Sequence, residues 1–360
     1  MAHKVADRVN PYQRNFSGTC RAGLAKSSTL VFGVIMFAIG LTAGGVIGFL
    51  LAPKPPPPLE KVTFQLDWIP LGRHTAYYVA LEKGFYTEVG LDVAVTRGSG
   101  SGDAIRIVGA GEADIGFADL GTLIEARSES VPVKMVAVIY GEAPHAVFTL
   151  KGRGIESPKD LEGKTLGGPP GESNRILFPA FANLVGIDPS RVGLVDVEAG
   201  AKIPLMLAGT TDATWEYIMA VPNIPKEQQA NLVTFRYSDY GLTIYSNGIV
   251  VSDDVIKNRP DFVRKFVQAT IKGWDFVMNN RDESASIMVK FFPHLSMDVV
   301  RGEIDIVADK LLLTEEAKQF GLGWMTKEKV ESSIKIIAES FNFSPFPAEN
   351  VYTTEFLGRK

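Results

Sequence analysis

Residues 62–68 alternate apolar and polar, with Val62, Phe64, Leu66 and Trp68 on one side, the period of a half-buried strand. A Pro/Gly loop at 69–74 follows, then an amphipathic helical pattern over 76–86 and, after Gly90, a second strand at 91–95. Strand, helix and strand in that order cross over right-handed and predict a parallel sheet. The loop after the first strand then lies at the carboxyl edge of the sheet, where open α/β sheets bind ligands. It carries Trp68, Arg73 and His74, an aromatic face with polar tips suited to a small planar or charged molecule.

The same alternation of periods continues. Helices are predicted at 104–110, 120–128, 174–185 and 202–208, and strands at 115–118, 133–140, 146–150, 164–167, 192–197 and 212–215. Residues 242–251 read as a strand pair. From residue 261 the pattern is mostly helical, over 261–279, 283–291, 297–313 and 327–341. This order predicts α/β architecture. About three hundred residues are too many for one comfortable core and suit two lobes.

The ends change the picture. Residues 29–52 hold no charge and are rich in Val, Ile, Leu, Phe and Gly. As a helix they would span roughly 36 Å, enough to cross a bilayer core of about 30 Å. A cleaved signal peptide is the other reading, but its apolar core is usually about 7–15 residues. The run here is longer, so we expect an uncleaved anchor. Lys4, Arg8, Arg14, Arg21 and Lys26 precede it against Asp7 alone, which keeps the N-terminus (1–28) inside and exports the rest. Residues 53–58 form a proline spacer, stiff at about 3.1 Å per residue. Cys20 is the one cysteine, and it precedes the apolar run, so the exported part can form no internal disulfide and no thiol-ligated metal site. The net charge of −4 and the lack of a basic run exclude nucleic acid as an expected partner.

The segment LDWIPLGRHTAYYVALEKGFYTEVGLDV resembles the opening of the solute-binding proteins of ABC importers for nitrate, sulfonates, taurine and thiamine-pyrimidine precursors. GAGEADIGFADLGTLIEAR, IESPKDLEGKTLGGPPGES, LAGTTDATWEY and VYTTEFL fall where that family has its recurring segments. The resemblance covers nearly all of the chain after the apolar run. It implies a two-lobe, periplasmic-binding-protein-like (type II) α/β fold with a ligand cleft between lobes, here preceded by one transmembrane helix. It also implies two crossings between lobes, placed near Leu150 and Ser246, so that lobe 1 is 59–150 plus 247–360 and lobe 2 is 151–246. The function it implies is capture of a small-molecule solute outside the membrane for an ABC permease and its ATPase, with no enzyme activity, cofactor or metal. Nitrate, sulfonate or taurine binding is the alternative ligand class. The related eukaryotic thiamine-pyrimidine synthase and a tethered sensor are rival functions. The synthase needs a cysteine-rich iron-binding segment and a cofactor lysine, which the exported body and the 69–74 loop lack.

Each candidate site residue has a bland role beside the functional one. Trp68 is a core plug or, as in the pyrimidine-binding relatives, an aromatic wall worth about 0.5–1.5 kcal/mol beyond its burial. His74 either donates to a ligand or caps the helix after it. Ser99 and Ser101 sit in a glycine-rich turn into a helix, where backbone N–H groups can hold an anion. That turn lacks the lysine of a phosphate-binding loop. Asp119 caps the helix at 120, with the Gly121 and Thr122 amides toward the cleft. Glu172, Ser173 and Asn174 form the matching loop of the second lobe. Trp215 and Glu216 end a strand, and a carboxylate beside aromatics suits a neutral or cationic nitrogen heterocycle and repels nitrate or sulfonate.

Overall fold

The computed structural model describes residues 58–358. Two five-stranded sheets organise them. The first has the order β2 (Leu91–Thr96), β1 (Glu60–Gln65), β3 (Ile115–Asp119), β10 (Asn247–Ser252) and β4 (Val133–Val138). The second runs β7 (Gly193–Val195), β6 (Thr165–Gly167), β8 (Ala213–Tyr217), β5 (His145–Leu150) and β9 (Leu232–Arg236). Each is parallel except for one returning strand. β10 lies antiparallel between β3 and β4, and β5 lies antiparallel between β8 and β9.

The opening unit forms in the predicted order, but its first strand ends at Gln65, so Leu66 and Trp68 lie past it in the loop. β1 and β2 pair in parallel with Val62 opposite Val93, and Phe64 meets Tyr77 and Phe266 edge-on at 4.9 and 5.0 Å. The helix between them is Thr75–Glu82, shorter than the pattern suggested. The chain turns through Gly84 at φ +73°, a left-handed conformation glycine adopts without penalty, before a second turn at Phe85–Glu88. The helices Leu120–Ser128, Lys202–Ala208 and Lys327–Phe341 stand where their periodicity put them.

Elsewhere the structure corrects the sequence reading. Residues 174–185 make two helices, Ser173–Ile176 and Phe178–Val185, because Pro179 has no N–H to continue the ladder. The helix expected over 297–313 ends at Ile306 and continues as a π-helical turn, Val307–Leu312. Residues 242–251 contribute one strand, β10, rather than a pair. The first crossing precedes Leu150: β5 pairs with β8 and β9, so the chain passes between sheets at 139–144. The return lies at 237–246, close to Ser246. The predicted membrane span at 29–52, Cys20 and the spacer up to Pro57 lie outside the described residues. Among the described residues no helix is long and apolar enough to cross a membrane.

Candidate functional site

The carboxyl ends of β1 and β3 in one sheet face those of β6 and β8 in the other, and the lobes touch there. The Gly102 N–H donates to the Gly171 carbonyl at 3.1 Å. A Cβ on Gly100 would overlap the Gly171 carbonyl, so the two loops meet backbone to backbone. Behind this contact is a cavity of about 20 Å³, room for about one water, lined by Asp67, Trp68, Arg73, Gly100, Ser101, Glu172, Ser173, Asn174, Lys202, Glu216 and Tyr217. An apolar groove formed in part by Ile203, Pro204 and Leu207 adjoins it and shares Trp68, Arg73 and Glu216 as a wall.

Strand alternation decides which residues of β8 reach the cavity. Trp215 turns to one face of the sheet, fully buried against Phe178 at 5.6 Å. Glu216, one position on, turns to the other and faces the cavity. Glu172 ends the loop after β6, and Lys202 begins the helix Lys202–Ala208 that precedes β8. The Lys202 ammonium ion-pairs with Glu172, donates to the Trp215 carbonyl at 2.6 Å and lies 3.3 Å from Glu216 Oε1. It also sits 4.7 Å above the ring of Trp68, which comes from the other lobe. Burial pushes the Glu172 carboxyl up to about 7, with Lys202 pulling it down and Glu216 adding to the rise. Its Oε2 is buried without a hydrogen-bond partner.

A continuous run of hydrogen bonds joins the lobes beside the cavity. Leu71 N–H donates to His74 Nδ1 (3.2 Å), which leaves the proton on Nε2, directed at Asp67 Oδ1 (2.9 Å). Asp67 Oδ2 accepts from Asn247 (2.8 Å), whose Oδ1 accepts from the Tyr217 hydroxyl (2.9 Å). Tyr217 having given its proton there, the Ser173 hydroxyl donates to it at 2.6 Å. Burial lowers the His74 pKa despite Asp67, so the ring is neutral and both nitrogens are engaged. Arg73 lies 5.6 Å from the Tyr217 ring centre. Burial works against its guanidinium, yet Glu303, Asp67 and Glu216 together hold its pKa above the ordinary value. Its backbone N–H is held by Glu303 at 3.0 Å, while its Nε has no hydrogen-bond partner.

Of the residues singled out from sequence, Trp68, Ser101, Glu172, Ser173, Asn174 and Glu216 come together on the cavity. His74 is brought only to its second layer, behind Asp67. Asp119 is fully buried and caps its helix through Thr122 N–H at 2.8 Å, while its other oxygen accepts from Ser246 at 2.8 Å. Ser99 bonds Asp103 at 2.6 Å on the outer rim, and Trp215 is core. Asn174 lines the wall with its amide engaged by Ala146 N–H (3.2 Å) and Glu172 (3.2 Å).

Arg73, read from sequence as a polar tip of the edge loop, also lines the cavity, and Asp67, Lys202 and Tyr217 are lining side chains that the sequence did not single out. Lys202 carried a signal: a cation in the first turn of a helix opposes the helix dipole, a local cost that needs a tertiary reason.

A family model described as NMT1/THI5 like matches residues 72–284. The chain is similar to the formylaminopyrimidine-binding protein of Halalkalibacterium halodurans, 30% identical over 64% of this chain and 70% of the relative. It is similar also to the riboflavin-binding protein RibY of Chloroflexus aurantiacus, 25% identical over 85% and 88%. A 4-amino-5-hydroxymethyl-2-methylpyrimidine phosphate synthase of Saccharomyces cerevisiae matches at 27% over 67% and 74%. Among solved structures, the alkanesulfonate-binding protein SsuA from Xanthomonas axonopodis pv. citri bound to MOPS superposes with a TM-score of 0.65 at 11% identity, over 83% of this chain and all of that one. The fold is thus the two-sheet, periplasmic-binding-protein-like α/β fold.

Proposed function

The chain belongs to the NMT1/THI5-like family, and from that premise we propose that it is the extracytoplasmic solute-binding component of an ABC importer, taking a planar nitrogen heterocycle such as a thiamine-pyrimidine precursor. One observation carries the reading: the indole face of Trp68 from one lobe meets the carboxyls of Glu172 and Glu216 from the other in a single small cavity. An aromatic face favours a flat ring. Three carboxyls against two cations on the lining favour a neutral or cationic ligand that offers N–H donors. The formylaminopyrimidine- and riboflavin-binding relatives point the same way. Ligand would bridge the lobes, and contacts made only in the closed state would stabilise closure. Residues 29–52 would tether the binder near its permease, and mass spectrometry of the membrane-bound protein tests this: a mature N-terminus after Ala52 refutes the anchor.

A second reading, binding of nitrate, taurine or another sulfonate, draws support from Arg73, whose Nε has no partner beside the cavity. Thermal-shift assays of the full chain against aminopyrimidines, riboflavin, taurine, alkanesulfonates and nitrate separate the two. A heterocycle at about a hundred times its Kd adds about 2.7 kcal/mol. Stabilisation by a sulfonate or nitrate, strengthened in Glu216→Gln, refutes the heterocycle. Recovery of the bound pyrimidine unchanged separates a binder from a synthase.

A further inference from the structure

We infer that the ammonium of Lys202 is a built-in occupant of the subsite that receives the ligand's amino or cationic edge, so that a ligand enters by displacing it and must bring an ammonium- or amidinium-like group of its own. The inference rests on the heterocycle reading and adds to it a specificity-determining residue and the charge of the ligand's leading edge.

Four partners surround the ammonium, and each suits a cation. Glu172 and the Trp215 carbonyl bond it, Glu216 lies 3.3 Å away, and the Trp68 ring lies beneath it at 4.7 Å. An aromatic face with two carboxylates is a cation cage, and desolvation strengthens the cation–ring contact. Lys202 is 2% exposed. Through it the second lobe reaches the Trp68 face, the same face a stacked ring would use. The subsite also keeps acceptor capacity that Lys202 does not fill, because Glu172 Oε2 is buried and unpartnered.

A planar ring with an amino group beside a protonated ring nitrogen offers two parallel N–H donors. It can replace the ammonium on the carboxyls and cover Trp68 at the same time. A neutral ring without that edge leaves Glu172 and Glu216 side by side with no cation, at the high cost of an uncompensated buried charge. An anion would instead pair with Lys202 and keep it in place.

The test uses the full chain and two variants, with 4-amino-5-hydroxymethyl-2-methylpyrimidine and methylammonium as probes. Lys202→Met keeps the bulk of the stem and removes the competitor, and it should bind the aminopyrimidine at least tenfold more tightly than the unaltered chain. Unchanged or weaker binding overturns the inference and makes Lys202 a ligand contact or a scaffold. Lys202→Ala leaves a cage sized for a small cation, so methylammonium should raise its melting temperature and leave that of the unaltered chain unmoved, with tetramethylammonium inert. If Lys202→Ala does not fold alone, recovery of folded protein with methylammonium supports the inference, and no recovery overturns it. Should the unaltered chain bind no heterocycle, the proposed function fails, while methylammonium on Lys202→Ala still decides the role of Lys202.

Discussion

Glu172→Gln should flatten the pH dependence of stability that the buried carboxyl imposes. In the folded protein burial raises this group from its ordinary 4.5 to about 7, against the pull of Lys202 and with the push of Glu216. The folded state therefore holds the proton more tightly than the unfolded chain. Its contribution is fully present below about pH 4.5 and is lost as pH rises through about 7. At about 1.36 kcal/mol per pH unit, the loss reaches about 3 kcal/mol as an upper bound. Lys202, Glu216 and Asn174 face the carboxyl. Glutamine keeps the shape and an acceptor for Asn174, leaves Lys202 the Trp215 carbonyl and Glu216, and has no proton to lose. Urea unfolding of both proteins at about pH 5 and about pH 8 isolates the effect, because other titrating groups such as Glu303 are common to both. Going up in pH, the unaltered chain should lose about 2–3 kcal/mol more than the variant. A difference between the two proteins that stays constant with pH would refute the assignment.

Three further outcomes follow from the geometry. Tyr217→Phe strands the Ser173 hydroxyl and removes one donor from Asn247, so it should cost about 1–3 kcal/mol in urea unfolding and loosen the lobes in small-angle scattering. Gly100→Ala puts a Cβ into the Gly171 carbonyl and should hold the lobes apart, read as a larger radius of gyration and weaker heterocycle binding by calorimetry. Trp68→Ala and Glu216→Gln should each weaken heterocycle binding about tenfold, about 1.4 kcal/mol, and titration of either variant with unchanged Kd would remove that residue from the site.

Local pattern carried much of this protein. The half-buried period of β1, the helices Leu120–Ser128, Lys202–Ala208 and Lys327–Phe341 and the Asp119 cap are set by neighbours a few residues away, which is why they were legible in the chain. The edge loops bearing Trp68, Ser101, Glu172–Asn174 and Glu216 were legible too, because a parallel crossover puts such loops at one end of the sheet. Sheet membership was not. β5 reads like any apolar strand, and only its pairing with β8 and β9, more than sixty residues on, places it in the second lobe. Side-chain direction was the other limit. Trp215 and Glu216 are adjacent in sequence, and the helix that covers one face of β8 decides that the tryptophan is core and the glutamate faces the cavity. His74 looked free to meet a ligand until Leu71 and Asp67 engaged both of its nitrogens. Lys202 acquired its role only when folding brought two carboxyls and an aromatic ring around it. The chain thus determined which segments are strands, helices and edge loops, since those follow from local backbone and periodicity. Only tertiary structure decided which charged and aromatic groups share the cavity, because burial and ion pairing depend on partners distant in sequence.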